Sequence, residues 1–423
     1  MKLRWRIAFL VGTAIAISYL DRQTISVAIA AIQREIPISN TQFAHLQALF
    51  LLAYAAMYVG GGRLLDALGT RRGFLLIMIW WSLACAAQGL ATSVAMLGVF
   101  RFLLGMGEGG GFPAATKAVA EWFPTRERSL AMGIINGGTA VGAVAAPPLI
   151  AVIITFGGWR WVFFIVGALG LLWTVWWVRA YFSPASHSKL SPAERQEISE
   201  VFSHESEEKV AISWLQLFSF IEVWGLVGAK FLSDAAWYFY LFWLPKYLYD
   251  VRGFDIKKVG YYAWIPYAAA GVGCIVGGWF SGWLLGRGRS LDFARKVALG
   301  ASAAVMPLIL FVPRAPVDLA IVIFSVAFFG QQSWSTLIMI VPTDLFPKQV
   351  VGSVAGLVGF GGAIGGVIFN LVVGYLLDHG YGYGTVFSLV STFHVAAFCL
   401  ILLTVHRVKP LALSGRAFSS TRA

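Results

Sequence analysis

Three groups of charged residues, Asp21-Arg22, Arg101 with Glu108, and Lys230 with Asp234, stand inside long apolar stretches of a chain that is 58% hydrophobic and only 12% charged. An Arg, Lys or Asp at the centre of a lipid bilayer costs roughly 2.5 to 3.5 kcal/mol on insertion scales, so residues kept there usually line a polar pathway. Arg101 and Glu108 are seven positions apart, which puts them on one helix face about 10.5 Å apart along the axis. A carboxyl in so low a dielectric is suited to take up and release a proton, and Asp21 is a second candidate. The plainer alternative is a buried ion pair that only ties helices together, at a desolvation cost. Arg22 offers a planar fork of donors matched to a carboxylate, which makes it the first candidate for anchoring an anionic ligand, with Arg101 beside it. Lys230 and Asp234 are four apart and can pair, leaving Lys230 available to a second anionic or hydroxyl-rich end of a ligand.

Other groups at membrane depth extend this set. Trp237, Tyr240 and Trp243 continue the Lys230 face as an aromatic stripe that can stack on a sugar ring or simply pack. Tyr54 and Tyr58 lie one turn apart, and Gln331-Gln332 supply amides; either set can bind ligand hydroxyls or satisfy neighbouring helices. Lys117 is expected to pair between the fourth and fifth spans, and His45, His379, His394 and His406 are given no role. Gly105-Met106-Gly107-Glu108-Gly109-Gly110 fits G-x-G-x-x-G, but no strand precedes it, so close helix packing explains the glycines better than a dinucleotide. No Walker, G-x-S-x-G or H-E-x-x-H pattern occurs, and Cys85, Cys274 and Cys399 stand singly. An enzyme, a cofactor, a metal site and a disulfide framework are therefore not expected.

The elements that must hold these residues are membrane helices. A crossing takes about 20 mostly apolar residues, and twelve such spans fit at about 7–30, 44–64, 73–91, 95–121, 129–154, 161–180, 219–245, 259–284, 297–313, 318–340, 352–376 and 385–406. Their continuous apolar character favours an all-α membrane protein over a barrel, whose strands would alternate. Arg4 and Arg6 before the first run resemble a secretory leader, yet the run is too long and leads into Asp21-Arg22, so it is expected to be a retained helix. With the amino terminus in the cytoplasm, 20 of the 32 Lys and Arg fall on that side, seven fall outside and five lie in or at the ends of spans. That bias puts both termini inside. It also accounts for the net charge of +12, so nucleic acid is not an expected partner.

The one sizeable hydrophilic interlude divides the chain into a first half (1–182), a cytoplasmic loop (183–214), a second half (215–410) and a cytoplasmic tail (411–423). A shift of 223 positions lays Phe123-Pro124 on Phe346-Pro347, Gly133 on Gly356, Gly138 on Gly361, Ala140 on Ala363 and Gly142 on Gly365. Two pseudo-symmetric six-helix halves follow, the pattern of a secondary transporter working by alternating access.

The stretch GGRLLDALGTRR at 61–72 resembles the cytoplasmic loop motif of the major facilitator superfamily. Gly62, Asp66, Gly69, Arg71 and Arg72 occupy its places; the second half, with Gly286-Arg287-Gly288-Arg289, lacks the aspartate. Within that superfamily the chain resembles the anion:cation symporter branch, through Tyr19-Leu20-Asp21-Arg22, through RFLLGMGEGGGFPAATKAVAEWFPTRERS (101–129) and through KFLSDAAWYFYLFWLPKYL (230–248). The last stretch and Glu121-Trp122-Phe123-Pro124 are most similar to the hexuronate transporters. Thr139 and Gly359-Phe360 depart from the aldonate carriers. The resemblance implies a proton-coupled symporter that imports a sugar acid. In it Glu108 and Asp21 would carry protons, and Arg22, Arg101, Tyr54, Tyr58, Lys230, Asp234, Trp237, Tyr240, Gln331 and Gln332 would face the substrate. It further implies a monomer in the bacterial inner membrane. An exporter, a carrier of a different organic anion (an aldonate, a monocarboxylate or an aromatic acid) and a sensor with a transporter fold are the alternatives.

Overall fold

The computed structural model describes residues 2–184, 186–204, 214–346 and 348–411. They form helices α1 (Leu3–Ile32), α2 (Asn40–Gln88), α3 (Val94–Glu108), α4 (Gly111–Trp122), α5 (Thr125–Gly157), α6 (Trp159–Ala180), α7 (Pro192–His204), α8 (Trp214–Leu217), α9 (Ile221–Asp250), α10 (Ile256–Tyr262), α11 (Trp264–Gly286), α12 (Leu291–Ala304), a 3-10 turn (Met306–Arg314), α13 (Val317–Leu345), α14 (Lys348–Asp378) and α15 (Gly382–Thr404), with no strand among the described residues. All twelve expected spans fall on helix. Eight stretches among the described residues are long and apolar enough to cross a bilayer. Large apolar side chains such as Phe156, Ile275 and Leu403 are more than two-thirds exposed. A protein that leaves such groups outward across many apolar helices is a multi-pass membrane protein.

Two expected spans differ in detail. The second and third run on as the single element α2, kinked at Gly69, whose φ of +73° is open to glycine at little steric cost. The fourth is broken at Gly109-Gly110 into α3 and α4. Close packing explains the glycine run there. A Cβ on Gly105 would lie 2.2 Å from the Phe50 carbonyl oxygen, and one on Gly107 would lie 2.5 Å from the Trp81 Cβ, so α3 rests directly on α2.

The described helices group into two compact units. One holds Met1–Glu207, Phe239–Ala268 and Asn370–Gly380. In it α1 lies against α5, since a Cβ on Gly138 would meet the Gly12 carbonyl oxygen at 2.2 Å and one on Gly142 would meet that of Ala16 at 2.1 Å. The amino-terminal end of α2 is capped twice. Ser39 and Gln42 form a capping box, and the Asp378 carboxylate accepts from the backbone N–H of Asn40 at 3.0 Å and of Thr41 at 2.7 Å. The start of α1 is held by α7. Glu194 accepts from the backbone N–H groups of Leu3 and Arg4, while Arg4, fully buried, bonds Glu127 and Glu197.

The other unit holds Glu208–Tyr238, Ala269–Phe369 and Tyr381–Ala423. Leu226, Trp334, Leu337, Val354 and Ile401 are part of its core, all fully buried. Here α14 lies on α9 as α5 lies on α1: a Cβ on Gly365 would meet the Phe231 carbonyl oxygen at 2.1 Å, and one on Gly361 would meet the Val227 side chain at 2.7 Å. Of the glycines that match at the 223-residue shift, Gly138 with Gly361 and Gly142 with Gly365 thus mark close helix approaches in each unit, while Gly133 and Gly356 have nothing within 4 Å.

Candidate functional site

In the first unit the charges meet around α1. Glu108, at the end of α3, accepts on Oε2 from Arg22 Nε at 2.7 Å and from Ser18 Oγ at 2.8 Å. Ser18 and Arg22 are one turn apart on α1, so a single helix face presents both donors to the carboxylate. The pair is dry, with Arg22 2% and Glu108 1% exposed. The Arg22 guanidinium also lies 4.5 Å from the Tyr54 ring centre and 4.7 Å from that of Tyr19. Tyr58 stands next to Tyr54, their rings 5.9 Å apart.

Arg101 shares the α3 face of Glu108 but bonds elsewhere. Its Nη2 donates to Gln47 Oε1 at 2.6 Å and lies 3.4 Å from the Arg22 carbonyl oxygen, with its guanidinium over Phe50. Asp21 is fully buried and makes no hydrogen bond to the Arg22–Glu108 pair. Its Oδ1 lies 3.6 Å from Cys85 Sγ on α2, and its Oδ2 has no hydrogen-bond partner. Two consecutive helical residues point about 100° apart, which is why Asp21 and Arg22 serve different neighbours.

The residues of the 61–72 motif that can be described stand apart from this cluster. Gly69 makes the kink, Arg71 donates to the Val178 carbonyl oxygen at 2.9 Å beneath Phe182, and Arg72 is exposed. Gly62 and Asp66 lie outside the residues whose side chains are described. Lys117, expected between the fourth and fifth spans, donates to the Leu65 carbonyl oxygen on α2 at 2.8 Å.

The second unit holds its own polar cluster. Lys230 donates to Asp234 Oδ1 at 2.7 Å and to Ser335 Oγ at 3.1 Å. A Cβ on Gly362 would lie 2.2 Å from Asp234 Oδ2, so α14 covers the pair. One turn before Ser335, Gln331 meets His394 of α15, Oε1 to Nε2. Gln332 is on another side of α13 and half-buried, and it does not join them. Trp237 packs edge-on against Phe328 with ring centres 5.8 Å apart. Tyr240 is fully buried in the first unit, where Trp243 donates to Asn370 Oδ1 at 2.7 Å and acts as a packing residue.

Five partners were given no site role in the sequence reading: Ser18, Gln47, Cys85, Ser335 and His394. Ser18 and Ser335 stand four residues from Arg22 and Gln331, a helical spacing that points to them. Gln47, Cys85 and His394 arrive from other helices, and no local pattern identifies them.

The family model described as Major Facilitator Superfamily matches residues 11–370. The chain is 32% identical to the hexuronate transporter of Escherichia coli K12 over 418 residues, covering 96% of this chain and 95% of that protein. It is 36% identical to the galacturonate transporter of Dickeya chrysanthemi over 279 residues, 66% of this chain and 81% of that protein. It is also 32% identical to the probable sulfoacetate transporter SauU of Cupriavidus necator over 381 residues, 88% of this chain and 87% of that protein. Its fold is similar to that of the inward-open xylose transporter XylE of E. coli, with a TM-score of 0.75 at 14% identity, covering 97% of this chain and 98% of that one. The chain belongs to the major facilitator superfamily and is a transporter rather than an enzyme.

Proposed function

We propose that this protein is a proton-coupled symporter that imports a sugar acid of the hexuronate type. It works by alternating access of its two six-helix halves, as a monomer in a bacterial inner membrane with both termini in the cytoplasm. The observation that carries the reading is the 2.7 Å bond from Arg22 Nε to Glu108. The internal carboxylate occupies the donor that an incoming carboxylate needs. Protonating Glu108 removes the competing negative charge and frees the fork of Arg22 for the ligand, so proton and substrate favour each other's binding by the same factor. Asp21, buried without a cation bonded to it, takes a second proton. Tyr54, Tyr58, Arg101 and Tyr240 of the first unit, and Trp237, Lys230, Asp234, Gln331 and Gln332 of the second, are the further residues proposed to meet the substrate.

The similarity to transporters of hexuronate and galacturonate supports a sugar acid. The similarity to a sulfoacetate transporter at equal identity supports a second reading, a small two-carbon acid, which would leave the polar cluster of the second unit unused. Uptake of labelled glucuronate, galacturonate and sulfoacetate into proteoliposomes under an inward proton gradient separates them. Accumulation of either sugar acid supports the first reading, and accumulation of sulfoacetate alone supports the second. Export under the same gradient would reverse the assigned direction.

A further inference from the structure

His394 lies in the middle of α15, fully buried, in a helix otherwise built for lipid. It is not there as packing alone, because its ring reaches Gln331 through Nε2 and rests edge-on against Trp334, with ring centres 5.7 Å apart. With the Gln331 oxygen facing the ring, the tautomer that carries its hydrogen on Nε2 makes the imidazole a donor there. The amide nitrogen of Gln331 is turned away from His394 and donates to no described residue, although the side chain is only 1% exposed. An amide N–H that no described residue accepts is open to an acceptor that a ligand supplies. Ser335, one turn on, holds Lys230 at 3.1 Å, so the free amide and the ammonium stand on the same face of α13.

We infer that His394 is a positioning residue for substrate specificity. It fixes the Gln331 carboxamide so that its NH2, together with Lys230, forms a donor pair for the hydroxyl-rich end of a sugar acid. The inference rests on the sugar-acid reading above and adds to it a residue that never touches the ligand. A free Gln331 side chain would rotate among several rotamers and lose that ordering on each binding event, whereas the imidazole removes the freedom beforehand.

Because the role runs through Gln331, a double-mutant cycle tests it. Uptake of glucuronate by proteoliposomes is measured for the wild type, H394F, H394Q, Q331A and the H394F/Q331A double variant. Phenylalanine keeps the ring but removes the donor; glutamine restores a donor near the position of Nε2. The expected result is a KM raised about tenfold by H394F with the effect on KM rather than on maximal rate, return to within about threefold of wild type in H394Q, and no further rise when H394F is added to Q331A. Tenfold corresponds to about 1.4 kcal/mol. If H394F does not yield folded protein, H394N, which also lacks the donor at that position, takes its place in the cycle. Equal rises from H394F in both backgrounds, or no rise at all, overturn the inference while leaving the sugar-acid reading intact. A wild type that takes up no sugar acid overturns both.

Discussion

Arg22 combines three roles that no other side chain offers at once: a charge, a fork of donors and a flat face. The Nε bond to Glu108 uses one edge, and the rings of Tyr54 and Tyr19 lie against the plane at 4.5 and 4.7 Å. Lysine keeps the charge but loses the fork and the stacked plane. R22K is therefore expected to raise KM for the sugar acid about tenfold or more, measured as initial uptake rates over a range of substrate concentration; an unchanged KM would mean that the carboxylate binds elsewhere. The chemistry of this cluster was legible in the sequence because charge inside an apolar run has few explanations. Its pairing was not. Spacing alone set Arg101 and Glu108 on one face, yet Glu108 accepts from Arg22 of α1 while Arg101 donates to Gln47 of α2, partners that lie closer than the residue seven positions along.

Helices in this fold approach through glycine, and the same spacing recurs in both units. An added Cβ on Gly142 or Gly365 would meet a carbonyl oxygen at 2.1 Å, whereas at Gly133 and Gly356 nothing lies within 4 Å. Backbone cannot yield as a side-chain tip can. G142A and G365A are expected to lower the melting temperature in detergent, in line with an overpacking cost of about 1–3 kcal/mol. G133A and G356A should hold it or raise it, since alanine favours a helix interior over glycine by roughly 0.5–1 kcal/mol. A fall in all four would sink the distinction. The twelve spans were readable from hydropathy, but the break at Gly109-Gly110 and the merging of two spans into α2 were not, because both depend on what packs against the helix. Helix α7 was hidden for the same reason, as a polar segment gives no apolar period by which to find it. Its Glu197 is pulled down to about 2, from an ordinary 4.5, by hydrogen bonds from Lys2 and then Arg4. With its folded-state value depressed, the contact stabilises fully above about 4.5 and is lost as pH falls through that range towards 2. Hydrogen exchange of α7 should therefore be slow at neutral pH and quicken on acidification, and E197Q should exchange fast already at neutral pH; an E197Q helix as protected as the wild type would show that the charge does not hold it.

At the scale of the whole molecule, membership of the major facilitator superfamily follows from a match over residues 11–370, and the sequence carried that much through its apolar spans and the GGRLLDALGTRR stretch at 61–72. The second-unit cluster was only half legible. Lys230 and Asp234 announce themselves at four-residue spacing, while His394 arrives on the last helix and gains meaning only beside Gln331. Coupling is the claim on which the transport cycle turns: a proton on Glu108 releases Arg22 for substrate. Its most direct test is a comparison of wild type and E108Q in proteoliposomes loaded with labelled glucuronate, for exchange, and in empty ones under an inward proton gradient, for accumulation. Glutamine leaves the site permanently uncharged, so the expected result is exchange that persists and gradient-driven accumulation that disappears. Accumulation by E108Q equal to that of the wild type would contradict the assignment and move the coupling proton to another group.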